Sequence, residues 1–183
     1  MVPGSSEAAV VGTGYMAYCC IHALNSVMPL ERLKIWSRDE GRAKEFANRI
    51  RTELNINGET ADSAQACVEG VKVVITVTNA LSPFLKNEWF SPGVMIYAMG
   101  NHQEVDLKTY LSMTFIADER DQVKVCPDIA ALMKSGDLPF NHVQADLGEV
   151  VGSPAKGRKS PDEKIIVRSQ GLATQDVAQA YWI

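Results

Sequence analysis

The sequence predicts an α/β fold, doubly wound, with a mainly parallel sheet and helices on both faces. Three observations carry the prediction. Short apolar runs alternate with stretches of helical periodicity through the first half of the chain. Later runs at 71–78 (VKVVITVT), 94–99 (VMIYAM) and 114–118 (TFIAD) are almost continuously apolar, as strands buried on both faces of a parallel sheet must be. Finally, Gly12-Thr13-Gly14-Tyr15-Met16-Ala17 falls between the first strand and the first helix, where a tight turn is required.

Each element has its own signal. Residues 7–12 form a short apolar run ending in glycine. Met16, Cys20, Ala23, Leu24 and Val27 recur at three- and four-residue spacing, which predicts the buried face of a first helix closed by Pro29. A second strand covers 32–37 (RLKIWS). From Asp39 a second helix buries Ala43, Phe46, Ala47, Ile50 and Leu54, and residues 55–58 end it. An edge strand near Glu59 and a short helix over 63–68 come next. Pro92-Gly93 turns the chain into the run at 94–99. Pro127 starts a helix through Lys134 that Gly136 caps. From 141 to 162 the chain turns polar, with Gly148, Gly152, Pro154, Lys156, Gly157, Arg158 and Lys159 expected on a solvated surface segment. A strand at 164–168 (KIIVR) and a helix at 172–182 complete one domain over 1–183.

Composition narrows the function. A chain of 183 residues, 46% hydrophobic and 22% charged, has a soluble globular composition and the length of about one domain. A net charge of −4 argues against nucleic acid and against an anionic membrane surface as partners. No apolar run approaches the ~20 residues of a membrane helix. Residues 1–9 lack a basic segment followed by an apolar one, so the expected location is the cytoplasm. Cys19, Cys20, Cys67 and Cys126 form no CxxC and no zinc spacing, so reduced thiols and no metal are expected.

The glycine turn carries the chemistry. Gly12 permits the turn, Gly14 lets backbone approach a pyrophosphate, and Ala17 allows close helix–strand packing, so Gly12, Thr13, Gly14, Tyr15 and Met16 are candidate dinucleotide contacts of a Rossmann-type domain. At the end of the second strand, Ser37 stands where NAD-binding domains place an acid, and Arg38 follows. A hydroxyl and a guanidinium suit a 2′-phosphate, which favours NADP(H) over NAD(H). Asp39 either caps the second helix or contacts the ribose. Thr76, Thr78 and Asn79 end the fourth strand, where they either meet the cofactor or cap the strand. Met99, Gly100 and Gly171 complete the candidate cofactor contacts.

These motifs, taken with others in the same order, resemble the ornithine cyclodeaminase/mu-crystallin family, from Ala8 to about Trp182. They include the W-S-R-D strand end, residues 83–93 (PFLKNEWFSPG), 146–150 (DLGEV), 160–163 (SPDE) and 169–178 (SQGLATQDVA). Residues 100–106 (GNHQEVD) are similar to a subgroup described as the second subunit of tyramine oxidase. The resemblance implies a Rossmann nucleotide-binding domain of an oxidoreductase acting on imines or amino acids. It also implies a separate dimerisation and substrate domain, which is expected to be absent because the chain starts almost at the first strand. With such a domain, a small imine or amino acid and a homo-oligomer are the implied partners.

The family's cyclodeaminases carry an aspartate near the nicotinamide, and Asn101 aligns there. An amide exchanges no proton, so cyclodeaminase chemistry is not expected, and Asn101 alternatively serves as a turn residue. His102 is a candidate general acid or base, or an ordinary loop histidine. His22 and His142 are expected in solvent. Asp176 in the last helix serves either the site or the helix N-terminus. Two classes result: an NADP(H)-dependent oxidoreductase domain incomplete for catalysis alone, or a catalytically idle dinucleotide-binding protein with a structural or regulatory role.

Overall fold

A computed structural model describes residues 5–153 and 157–182. In chain order the elements are β1 (Glu7–Val11), α1 (Tyr15–Val27), β2 (Arg32–Trp36), α2 (Glu40–Leu54), β3 (Asn57–Thr60), α3 (Ala64–Val68), β4 (Val73–Thr76), β5 (Met95–Ala98), α4 (Leu107–Ser112), β6 (Thr114–Ala117), α5 (Arg120–Val123), α6 (Pro127–Ser135), β7 (Val143–Asp146), α7 (Leu147–Gly152), β8 (Ile165–Arg168) and α8 (Ala173–Tyr181). The eight strands form one sheet in the order β3-β2-β1-β4-β5-β8-β6-β7, and every pairing is parallel. This is the Rossmann-like α/β architecture that the sequence predicts.

Local signals place the helices. Asp39 Oδ1 accepts the Arg42 amide at 3.1 Å and caps α2, and Asn55 ends that helix in the left-handed region at φ 55°. Asp39 is therefore an N-cap. Ser63 caps α3 through the Ala66 amide at 3.0 Å. Pro127 opens α6, and Gly136 closes it at φ 86°.

Alternate residues of the strands feed opposite faces. On one face Ala9, Val11, Val74, Ile96, Ala98, Phe115, Ala117 and Ile166 join a single core with α3, α4, α5 and α6. On the other, Ala8, Val10, Leu33, Ile35, Val73 and Ile75 pack beneath α1 and α2, and a smaller cluster of Ile116, Ala145, Ile165 and Val167 packs against Leu147 and Val150 of α7. Half-buried Met95 and Tyr97 of β5 lie between these two clusters. The strand at 94–99 is thus closed on one face and partly open on the other.

Three expectations need correction. The buried face of α1 is Ala17 and Ile21; Ala23 is exposed, Met16 and Val27 are 50% and 69% exposed, and Cys20 and Leu24 flank the contact. The glycine turn brings the start of α1 close to β1, so the small Ala17 sets the phase and the larger apolar residues do not. The segment at 141–162 contains β7 and α7. Its polar residues sit on an edge strand that is buried only at Val143 and Ala145, so alternation over four residues is too short to stand out. His142 is not simply solvated: its Nε2 lies 2.8 Å from the Tyr110 carbonyl oxygen. His22 is exposed as expected. Lys156, Pro154 and Ile183 lie outside the described residues. No helix among the described residues is long and apolar enough to cross a membrane, and the four cysteines are free.

Candidate functional site

The strand order reverses between β1 and β4, and a cleft of about 640 Å³ opens there beyond the carboxyl ends of the strands. The Gly12–Gly14 turn, the end of β2 and the segment after β4 line it. Gly12 has φ +113°, and a Cβ on it would fall 2.4 Å from the Val77 carbonyl oxygen; only glycine fits. Gly14 differs. A Cβ there would meet no atom within 4 Å, so its backbone borders the open cleft. Gly14 is also the N-cap of the 13-residue α1 and supplies no side chain to cap it. The first-turn amides of Thr13-Gly14-Tyr15-Met16 therefore stand at the positive end of a helix without an anionic partner. Tyr15 is 75% exposed at this rim.

Ser37, Arg38 and Arg42 line the opposite wall. Arg42 was not legible as a site residue. Its relation to Asp39, three residues upstream at the capping turn, was the available signal. Trp36 and Phe84 form the floor, with ring centroids 5.7 Å apart. Thr78 and Asn79 also line the cleft, whereas Thr76 is fully buried and donates its hydroxyl to Glu104.

Beyond β4 and β5 the site is held by two buried carboxylates that the sequence reading missed. Glu104 is 1% exposed. Its Oε2 accepts the Thr76 hydroxyl at 2.6 Å and the Gly100 amide at 3.0 Å, and its Oε1 accepts the Thr78 amide at 2.7 Å. A Cβ on Gly100 would collide with this carboxyl group at 2.4 Å. Asp118, at the end of β6, is 3% exposed. Its Oδ2 accepts the Ser169 hydroxyl and the amides of Gln170 and Gly171 at 3.1, 2.6 and 2.8 Å, which fixes the turn at Gly171 with φ +82°. A carboxylate ending the apolar run TFIAD was the signal for Asp118.

Asn101 is exposed. His102 is half-buried, and its Nδ1 lies 3.3 Å from Asp128 Oδ2 in the first turn of α6. The Gln103 amide donates to the same oxygen at 2.7 Å. Met99 turns away from the cleft, with its Sδ 3.3 Å from the Cys20 Sγ beside α1. Asp176 stands exposed in the first turn of α8, a helix with no buried residue. Burial pushes the Cys67 thiol up to about 12, which leaves it inert as a nucleophile. Among the described residues no group of three or more His, Cys, Asp or Glu side chains is placed to hold a metal ion.

A sequence model described as the ornithine cyclodeaminase/mu-crystallin family matches residues 1–183. The chain is 30% identical to an alanine dehydrogenase of Archaeoglobus fulgidus over 181 residues, covering 96% of this chain and 55% of that protein. It is 29% identical to the ketimine reductase mu-crystallin of Mus musculus, covering 97% of this chain and 54% of that protein. Among solved structures, the Δ1-pyrroline-2-carboxylate reductase of Thermococcus litoralis, in complex with NADH and L-proline, superposes with a TM-score of 0.91 at 28% identity, covering 97% of this chain and 56% of the other. The chain thus spans about half the length of the relatives it matches.

Proposed function

The chain belongs to the ornithine cyclodeaminase/mu-crystallin family, and from that membership we propose that it is the dinucleotide-binding part of an oxidoreductase acting on imines or amino acids, with a preference for NADP(H). The observation that carries the reading is the cleft itself. One wall offers uncapped helix amides and the open Gly14 backbone, and the other offers Ser37, Arg38 and Arg42. That donor set suits a pyrophosphate on the first wall and a ribose 2′-phosphate on the second. Asp39 spends a carboxylate oxygen on the α2 cap, so the wall presents two guanidinium groups to an anion. When bound, the nicotinamide supplies or accepts a hydride. Thr78 and Asn79 border the pyrophosphate space, and Gly100 and Gly171 are held in place for the nicotinamide half by Glu104 and Asp118.

Asn101 supports reduction over cyclodeamination, because its amide cannot take up and release a proton as a carboxylate does. The isolated chain is expected to bind cofactor without turning over. Fluorescence titration with NADPH and NADH tests the cofactor reading. NADPH binds more tightly, and Arg38→Ala weakens NADPH by about 1.5–3 kcal/mol while leaving NADH nearly unchanged. Equal affinity for the two dinucleotides, or tighter NADH, overturns the preference. Oxidation of NADPH by the isolated chain with cyclic imines overturns the expectation of no turnover.

A further inference from the structure

The geometry points to a proton-donating pair at the nicotinamide end of the cleft: His102 as the group that gives a proton to the substrate nitrogen or oxygen, and Asp128 as the residue that positions it. The inference rests on the dinucleotide reading above and deepens it.

Placement comes first. The adenosine wall lies on the β1–β2 side of the switch point, so the nicotinamide half of a bound dinucleotide extends over the ends of β4, β5 and β8. His102 stands four residues beyond β5. Its loop does not wander from the cleft, because one carboxylate, Glu104, accepts both the Thr78 amide and the Gly100 amide. Thr78 lines the cleft. The His102 loop is thereby tied to the cleft wall through a single buried side chain.

Orientation follows from Asp128. Its Oδ2 lies 3.3 Å from His102 Nδ1 and accepts the Gln103 amide at 2.7 Å, so the carboxylate is itself fixed from the histidine's own loop. A carboxylate at Nδ1 accepts the proton there and selects the ring orientation that leaves Nε2 free. With His102 38% and Asp128 31% exposed, the ring is reachable from solvent and from a ligand. Other ionisable groups on the elements around this corner include Glu104 on the same loop, Tyr110 of α4, Cys126 before α6, Asp118 at the end of β6 and Arg168 of β8, all buried, with Asp106 on the α4 cap and Lys108 and Lys134 on α4 and α6. None of them is the group within reach of His102 Nδ1; Asp128 is.

The chemistry balances. As a C=N or C=O bond is reduced, its carbon gains the C–H bond from the hydride that the cofactor supplies. The N–H bond of His102 Nε2 breaks, its proton joins the substrate heteroatom, and the imidazolium becomes neutral imidazole. Asp128 stays a carboxylate throughout.

The test needs no turnover. Oxidised nicotinamide is cationic and the reduced ring is neutral, so a protonating neighbour opposes only the oxidised form. The two forms share their adenosine half, and titrations there cancel in the ratio Kd(NADP+)/Kd(NADPH). In the wild-type chain this ratio is expected to rise about three- to tenfold as the pH falls. His102→Gln removes the pH dependence. Asp128→Asn raises the ratio throughout, and NMR of the His102 ring nitrogens shows the preference for the Nδ1–H tautomer lost. A flat ratio in the wild type overturns the placement of His102. A His102 tautomer balance that Asp128→Asn leaves unchanged overturns the role of Asp128. Failure of both dinucleotides to bind overturns the dinucleotide reading, and this inference with it.

Discussion

The two halves of the cleft are built by different means. The half beside β1 and β2 is assembled from neighbours in sequence: Gly12 to Gly14 on one turn, Ser37, Arg38 and Arg42 on another. The half beyond β4 and β5 is assembled across long separations, with Glu104 reaching back 28 residues to Thr76 and Asp118 reaching forward 53 to Gly171. One half is a set of local conformations that offer themselves to a ligand. The other is a set of loops that would not hold their shape without buried carboxylates. Binding groups and structural groups are therefore separable in the first half and fused in the second.

Substitutions can break or sharpen that contrast. The largest effect is expected at Glu104. Glu104→Ala leaves the Thr78 and Gly100 amides and the Thr76 hydroxyl without their acceptor, and urea denaturation should show a loss of about 3–5 kcal/mol. Asp118→Ala strands the amides of Gln170 and Gly171 in a turn nearer solvent, with an expected loss of about 2–3 kcal/mol by the same measurement. Gly14→Ala is the opposite case. Its φ of −82° and empty surroundings accept a methyl group, so stability falls by at most about 1 kcal/mol, mostly from the poorer N-cap. On the proposed reading the methyl group would nonetheless enter the space of the pyrophosphate, and dinucleotide affinity measured by titration is expected to drop at least about tenfold. Stability losses at Glu104 and Asp118 no greater than at Gly14 would erase the distinction between the halves.

The same contrast explains what was legible. The parallel α/β architecture follows from apolar runs and caps whose signals lie within a few residues, such as Asp39, Ser63, Pro127 and Gly136. The glycine turn is legible because Gly12 and Gly14 are needed for backbone reasons that any residue-by-residue reading can state. Glu104 is illegible because a glutamate in the polar stretch Asn101-His102-Gln103 looks solvated until β4 and β5 are set side by side. Thr76 was misleading for the same reason, since its hydroxyl points to that unseen carboxylate. Asp128 appears in sequence only as an acid in the first turn of α6, and its nearness to His102 exists only in three dimensions. The phase of α1 was misread because close packing against β1, not apolar content, chooses its buried side.

The outer margins of the sheet bear on how the protein behaves at high concentration. β3 and β7 are its two rims, each only four residues long. In β3 the Arg51 guanidinium donates to the Gly58 carbonyl oxygen at 2.9 Å, and Glu59 pairs with Arg32 on the adjoining strand. An unpaired margin of this kind is a template on which a neighbouring molecule can add a strand and start an aggregate. Here one outward carbonyl is already occupied, charge stands beside it, and the ladder is too brief to reward an incoming chain. The β3 margin is thereby a poor template for an added strand.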